Sequence, residues 1–293
     1  MSFWNRLMSL MPTFMLFGVL IFTYSIYYIT NLKPNFNGYT YEIIILHCII
    51  ILFMVSMFRA MFLQPGIIST ETIDETWKQW EIFKQQEKDR LTEEKQRRSQ
   101  KSVKTFKTEN DEDRSVVNLD AEEIIEEEDN ANKDQNQKAV QKRFCKKCCI
   151  PKPPRAHHCS QCNTCWQRMD HHCQWINNCV ARDNYKMFFC MIFYASALLV
   201  WVTISQYQVF EQVIHYDASD LELYIIVLHF YFVCFLAVLI SGFFIFHVYL
   251  TSQNKTTLEQ LEDKPDKTKY DQGIWLNFQS ALGSNILFWL IPI

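Results

Sequence analysis

Residues 145–179 read CKKCCIPKPPRAHHCSQCNTCWQRMDHHCQWINNC. They hold Cys145, Cys148, Cys149, Cys159, Cys162, Cys165, Cys173 and Cys179 together with His157, His158, His171 and His172. Cys145-x-x-Cys148 and Cys159-x-x-Cys162 each have the spacing that lets two thiolates reach one tetrahedral Zn²⁺. Repeated pairs in so short a segment favour zinc over an iron–sulfur cluster or isolated thiols. A disulfide framework would need an oxidising compartment, which the placement of basic residues below argues against. Two closed four-ligand sites use eight groups, and this stretch offers more Cys and His than that. Neighbours in an extended chain point to opposite sides, so His158 and Cys159 are expected to serve different ions, and only one of each neighbouring pair in His171-His172-Cys173 is expected to serve a given ion. Spacing alone leaves the full assignment open. It does leave surplus Cys and His beside a carboxylate in Asp170-His171-His172-Cys173, where a cysteine has the makings of an activated nucleophile; the plainer alternative is a set of spare ligands.

Outward from this block, the charges decide the architecture. The chain has 293 residues, 49% hydrophobic and 21% charged, with 29 Lys and Arg against 32 Asp and Glu. The charges are missing from long stretches and crowded between them, which excludes a single globular enzyme. A net charge of −3 lacks the basic field that nucleic-acid binding needs, so no nucleic-acid partner is expected. Four stretches match the roughly 20 apolar residues that a helix needs to cross a bilayer. Residues 11–30, 187–210 and 223–250 carry no charge, and 43–63 carries only Arg59, near enough to its end to reach the headgroups. Buried helices of a soluble protein rarely run beyond ~18 uncharged residues. The expected fold is therefore an all-α polytopic membrane protein, with four transmembrane helices and a small cytosolic two-zinc cysteine-rich domain between helices 2 and 3.

Orientation follows from Lys and Arg. Of the 29, 22 lie in residues 64–186, Lys255, Lys264, Lys267 and Lys269 follow the last span, and Arg6 precedes the first. The loop 31–42 has only Lys33, and 211–222 carries Glu211, Asp217, Asp220 and Glu222 without a basic residue. Both short loops are expected to be luminal or extracellular, with the termini and the zinc domain cytosolic, in an endomembrane or the plasma membrane. Residues 11–30 run too long for a signal-peptide core and lack a cleavage pattern after them, so this first span is expected to remain.

The expected organisation is spans 1 and 2 in residues 1–63, a cytosolic helix and acidic linker in 64–142, the zinc domain in 143–186, spans 3 and 4 in 187–250, and a cytosolic tail in 251–293. Residues 71–98 read as a charged helix with an aromatic stripe at Trp77, Trp80 and Phe83, suited to packing on a span or resting on the membrane. From Asp111 to Asn130 acids dominate, which reads as a disordered tether.

The sequence also resembles the DHHC family of membrane protein S-acyltransferases, or palmitoyltransferases. The resemblance runs through Cys145-x-x-Cys148, Lys152-Pro153-Pro154-Arg155, His157-His158-Cys159, Cys162, Cys165, Met169-Asp170-His171-His172-Cys173, Trp175, Asn177-Asn178-Cys179 and Asn184-Tyr185. It continues in Thr256-Thr257-Leu258-Glu259, Asp271-Gln272-Gly273, Asn277, Gly283 and Trp289-Leu290-Ile291-Pro292. Taken alone, Thr-Thr-x-Glu could be an ordinary helix cap. The family's Asp-Pro-Gly reads Gln64-Pro65-Gly66 here, Gln174 stands for a usual Pro, and Ala181 for a usual Gly.

The resemblance implies one structural zinc held by Cys145, Cys148, His158 and Cys165, a second held by Cys159, Cys162, His172 and Cys179, and catalysis by Cys173, His171 and Asp170. Cys149 and His157 fall outside both sets. It implies fatty acyl-CoA as co-substrate, cysteines of cytosol-facing proteins as acceptors, and the lipid bilayer as setting. A free thiol has a pKa near ~8.5 and supplies little thiolate at cytosolic pH, so His171 would take the proton and Asp170 would orient it. Lys152, Arg155 and Arg182 are candidates for meeting the CoA phosphates. Two other classes compete: a membrane-anchored RING-like ubiquitin ligase and a catalytically silent zinc scaffold, both of which would leave Cys173 dispensable.

Overall fold

The computed structural model describes residues 3–32, 40–108, 144–215, 219–262 and 270–293. The acidic stretch 111–130 lies outside the described residues, as do Lys33 and residues 263–269. Four helices are long and apolar enough to cross a membrane. They are α1 (Phe3–Tyr27, continued by a π turn over Tyr28–Leu32), α2 (Thr40–Phe62), α4 (Tyr185–His215) and α5 (Asp220–Ser252). All begin before the charge-free stretches that announce them, because helical hydrogen bonding continues into the polar flanks once the apolar stretch has nucleated it. At about 1.5 Å per residue, α4 and α5 are longer than a hydrocarbon core requires. Ser219 and Glu222 form a reciprocal cap at the start of α5, which turns two acids of the expected loop into a helix-start signal.

Two compact units divide the described residues. The first comprises Met1–Ile67, Cys159–Cys162 and Trp166–Ile293. Within it α4 packs most extensively on α5 and α2. Its main core joins Phe53, Met57 and Ala60 of α2 to Tyr185, Phe188, Phe189 and Ile192 of α4, and to Ile176 and Val180 from the cysteine-rich segment. The last carbonyls of a helix have no partner inside it. Here Asn178 Nδ2 donates to the carbonyls of Ala60, Met61 and Leu63 at 3.0–3.1 Å, and Asn184 Nδ2 reaches Ala60 at 3.3 Å and the Cys179 carbonyl at 2.8 Å. The cysteine-rich hairpin is thereby tied to the end of α2.

Beyond α2 the chain runs beside this hairpin. The Pro65 carbonyl accepts from Asp183 N–H at 2.8 Å and the Gly66 carbonyl from Gln167 N–H at 3.1 Å. Gly66 has φ +151°, and a Cβ there would sit 3.2 Å from the Gln167 carbonyl oxygen and 3.3 Å from Arg182 Cβ, so the position calls for glycine. The three departures from the family pattern sit under no such backbone constraint. Gln64 and Gln174 are exposed, and Ala181 is not among the residues with positive φ, so it has no need of glycine.

The second unit comprises Ile68–His158 and Asn163–Cys165. Its long helix α3 (Thr70–Thr108) starts after Ser69, whose Oγ accepts from Thr72 N–H. The aromatic stripe expected to pack on a span instead meets Phe144: its ring lies 6.0 Å from Trp77 and 5.8 Å from Trp80. Ile68, Cys145, Ala156 and Cys165 make a small core beneath.

Strands are confined, among the described residues, to six pieces of two or three residues: β1 (Phe144–Cys145), β2 (Ile150–Pro151), β3 (His157–Cys159), β4 (Thr164–Trp166), β5 (His171–Cys173) and β6 (Asn178–Val180). β1 pairs antiparallel with β2, and β5 with β6, placing His171 opposite Val180 and Cys173 opposite Asn178. Two short helices, α6 (Thr257–Gln260) and α7 (Ile274–Leu282), follow the last span.

Candidate active site and metal centres

The eight expected ligands fall into two clusters, Cys145–Cys148–His158–Cys165 and Cys159–Cys162–His172–Cys179, each with its ligand atoms within 4.8 Å of one another. In the first, His158 Nδ1 lies 3.5, 3.3 and 3.8 Å from the sulfurs of Cys145, Cys148 and Cys165. In the second, His172 Nδ1 lies 3.6, 3.5 and 3.5 Å from those of Cys159, Cys162 and Cys179, and the Cys162 and Cys179 sulfurs are 3.4 Å apart. Tetrahedral bonds of ~2.3 Å to sulfur and ~2.0 Å to nitrogen place such ligand atoms roughly 3.5 Å apart, so both clusters fit a zinc ion. Burial first, then the neighbouring thiols, push the Cys165 and Cys179 thiols above the ordinary thiol range, since several thiolates cannot share so small a volume without a cation. In each knuckle the N–H of the second cysteine donates to the sulfur of the first at 3.4 Å.

Each ligand of the second cluster stands 14 positions after its counterpart in the first. Just past each knuckle the chain turns through a left-handed residue, Cys149 (φ 54°) and Asn163 (φ 53°), and Asn177 (φ 47°) continues the same interval. Cys173 therefore stands where a third knuckle would place its first thiol. The second position holds Ile176, which is buried in the apolar core, so the knuckle pattern offers Cys173 no second thiol for a metal. This repeat is legible in the sequence, yet counting pairs alone overlooks it.

The candidate catalytic residues come together on β5. Alternation along a strand puts His171 and Cys173 on one face and His172 on the other, which separates the reactive pair from the metal ligand between them. Asp170 is fully buried, with its Oδ2 2.7 Å from His171 Nδ1 and its N–H bonded to the Val180 carbonyl at 2.9 Å. Burial works against the His171 cation, but the hydrogen bonds to Asp170 and Cys173, then their charges, push its pKa up to about 9. For Asp170 burial likewise opposes the charge, and His171, with help from the Thr257 N–H, outweighs it and holds the carboxyl below the usual range. The arrangement suits a protonated His171 held between the Asp170 carboxylate and the Cys173 sulfur. The Phe188 and His171 rings pack in a T shape, with centroids 5.1 Å apart.

Thr257 completes the Asp170 site and is not among the expected catalytic residues. Its N–H donates to Asp170 Oδ1 and its hydroxyl to Asp170 Oδ2, each at 2.8 Å. Thr256 and Glu259 do form the helix cap, so the cap reading of Thr-Thr-x-Glu is correct and incomplete. The sequence signal was the pairing of a cap threonine with a second threonine that the cap does not use. Cys149 is exposed and belongs to neither cluster, and His157 also stands outside both.

Fold and site together define a helical, membrane-spanning protein with a cysteine-rich domain built on two Cys₃His clusters. Residues 138–264, which include both clusters, match the family model described as DHHC palmitoyltransferase. The chain is 36% identical over 156 residues to probable protein S-acyltransferase 13 of Arabidopsis thaliana, covering 52% of each chain. It is 38% identical over 155 residues to probable protein S-acyltransferase 12 of the same plant, covering 51% of this chain and 53% of that one. With palmitoyltransferase ZDHHC15 of Rattus norvegicus the identity is 32% over 160 residues, covering 52% and 47%. The matched region spans about half the length of these relatives.

Proposed function

We propose that the protein is a protein S-acyltransferase that moves a fatty acyl group, palmitoyl in the first instance, from acyl-CoA to cysteine thiols of substrate proteins through an acyl-enzyme on Cys173. The observation that carries this reading is the line Thr257–Asp170–His171–Cys173, outside both metal clusters and ending on a thiol. Cys173 Sγ attacks the thioester carbonyl, the bond from that carbon to the CoA sulfur breaks, and the CoA thiolate leaves with the proton held by His171. A substrate cysteine then gives its proton to His171 and attacks the acyl carbon. The bond to Cys173 breaks, and Cys173 recovers its starting state. Asp170 keeps His171 in place throughout. The names of the relatives support acyl transfer as the reaction class.

Cys145, Cys148, His158 and Cys165 would hold one zinc, and Cys159, Cys162, His172 and Cys179 the other. With four protein ligands each, the ions would supply structure by tying short strands together. The competing ubiquitin-ligase and scaffold readings give Cys173 and its buried carboxylate nothing to do.

The distribution of basic residues supports a cytosolic zinc domain and luminal short loops. In sealed microsomes, protease should cut within 109–143 from the cytosolic side and spare 211–222. The reverse pattern would invert the orientation.

Thr257→Val separates the hydroxyl from the backbone contact. A hydrogen bond to a charged group contributes about 1.5–3 kcal/mol, so acyl-enzyme formation should slow at least about tenfold with zinc content unchanged, and Thr257→Ser should restore it. Wild-type rates in Thr257→Val would remove Thr257 from the site. The founding test is the full chain in detergent with labelled palmitoyl-CoA: a hydroxylamine-sensitive label on the protein is expected, and its absence would overturn the proposal.

A further inference from the structure

Residues 272–293, QGIWLNFQSALGSNILFWLIPI, contain no charged residue, yet α7 and the 3₁₀ turn Ile286–Phe288 are far too short to span a bilayer. Phe278, Ala281, Leu282 and Trp289 turn inward onto the core of the first unit. The opposite side is apolar too: Ile274, Trp275, Leu276, Ile286, Leu287 and Phe288 are exposed, Leu287 at 77%. Ser280 is the exposed polar exception on α7, and contiguous exposed apolar surface of this kind belongs against protein or lipid.

Two hydrogen bonds fix the depth. Cys190 Sγ donates to the Trp289 carbonyl at 3.3 Å, and Tyr194 OH to the Leu290 carbonyl at 2.7 Å. Both donors lie in α4 beyond Lys186, the last charge before the apolar run of that span, and Tyr194 is about 12 Å further along the helix axis. Much of the backbone is also paired, as a peptide out of water requires. Asn285 Oδ1 accepts from Leu287 N–H, and the N–H groups of Phe288, Trp289, Ile291 and Ile293 all donate to carbonyls within the segment. Gly283 (φ 102°) reverses the chain between α7 and the turn, and Trp289 Nε1 closes the hairpin onto the Gly283 carbonyl at 2.8 Å.

We propose that residues 274–293 form an interfacial hairpin inserted into the bilayer leaflet that borders the cysteine-rich domain, with Ile274–Leu276 and Ile286–Phe288 in contact with lipid acyl chains. The lipid-facing surface of the spans thus continues onto the segment after them, at the ~5–10 Å depth usual for interfacial elements. This rests on the multi-pass reading of the four helices and is independent of the acyl-transfer reading.

The test places an environment-sensitive fluorescent amino acid at Leu287 of the full chain in phosphatidylcholine vesicles, with controls at Val238, exposed on α5, and at Glu262, in the polar stretch after α6. Leu287 and Val238 should both be quenched by acyl-brominated lipid and shielded from aqueous iodide, with Glu262 the reverse. Iodide quenching at Leu287 as strong as at Glu262 overturns the proposal, and so does shielding from both quenchers, which would mean that protein covers this face. Failure at Leu287 with success at Val238 rejects the hairpin alone, whereas failure at both rejects the hairpin and the multi-pass reading together.

Discussion

Replacing Cys173 with serine should abolish both the labelled acyl-enzyme and substrate acylation while leaving zinc content and fold intact. The hydroxyl is isosteric enough for a buried site, but its far higher pKa leaves no anion for His171 to stabilise. Cys149→Ser is the matched control. Cys149 is exposed, stands outside both clusters and has no carboxylate–imidazole pair beside it, so that variant should keep most of the label. His171→Ala removes the proton acceptor and should slow acyl-enzyme formation by about 10²–10⁴-fold, again without loss of metal, because strand alternation turns His171 away from the cluster that His172 joins. A time course with labelled acyl-CoA, read beside metal analysis, decides the matter. A thioester on Cys173→Ser, or a lost zinc in His171→Ala, would exchange the catalytic and ligand roles.

Elemental analysis of the purified protein should give two zinc ions per chain, matching the two clusters, and Cys145→Ala should bring the content down to about one with a large loss of folded yield. Structural zinc sites contribute on the order of 10–16 kcal/mol of apparent binding free energy in small domains, more than the whole stability of most domains. The small core of Ile68, Ala156 and the cluster thiols offers little to replace it. Strong chelation should likewise unfold the cysteine-rich segment. A folded Cys145→Ala variant that still binds two zinc ions would disprove the ligand set.

Much of this could be read from composition and spacing alone. Absence of charge over 11–30, 187–210 and 223–250 announces spans because the bilayer imposes a length and a polarity that no fold can evade. The pairs Cys145-x-x-Cys148 and Cys159-x-x-Cys162 announce metal because two thiolates three residues apart meet one ion through a local turn. Both signals are local, and neither needs the rest of the chain.

The remainder depends on segments far apart in sequence. Thr257 reaches Asp170 across 87 positions because α5 ends beside the hairpin β5–β6, and its own sequence shows only a cap. Asn178 looks like a turn residue until the end of α2 presents it with three carbonyls to bond. Trp77 and Trp80 form a stripe that any apolar surface would satisfy, and Phe144 happens to supply it. The uncharged segment after α6 is long enough to read as a span, but Gly283 breaks it into two short pieces, and hydrogen bonds from Cys190 and Tyr194 hold its end against α4. Periodicity and charge record what each residue requires of its surroundings; only the packing of helices and hairpins decides which distant residue meets that requirement, because contact energies act in space and the sequence orders residues along a line.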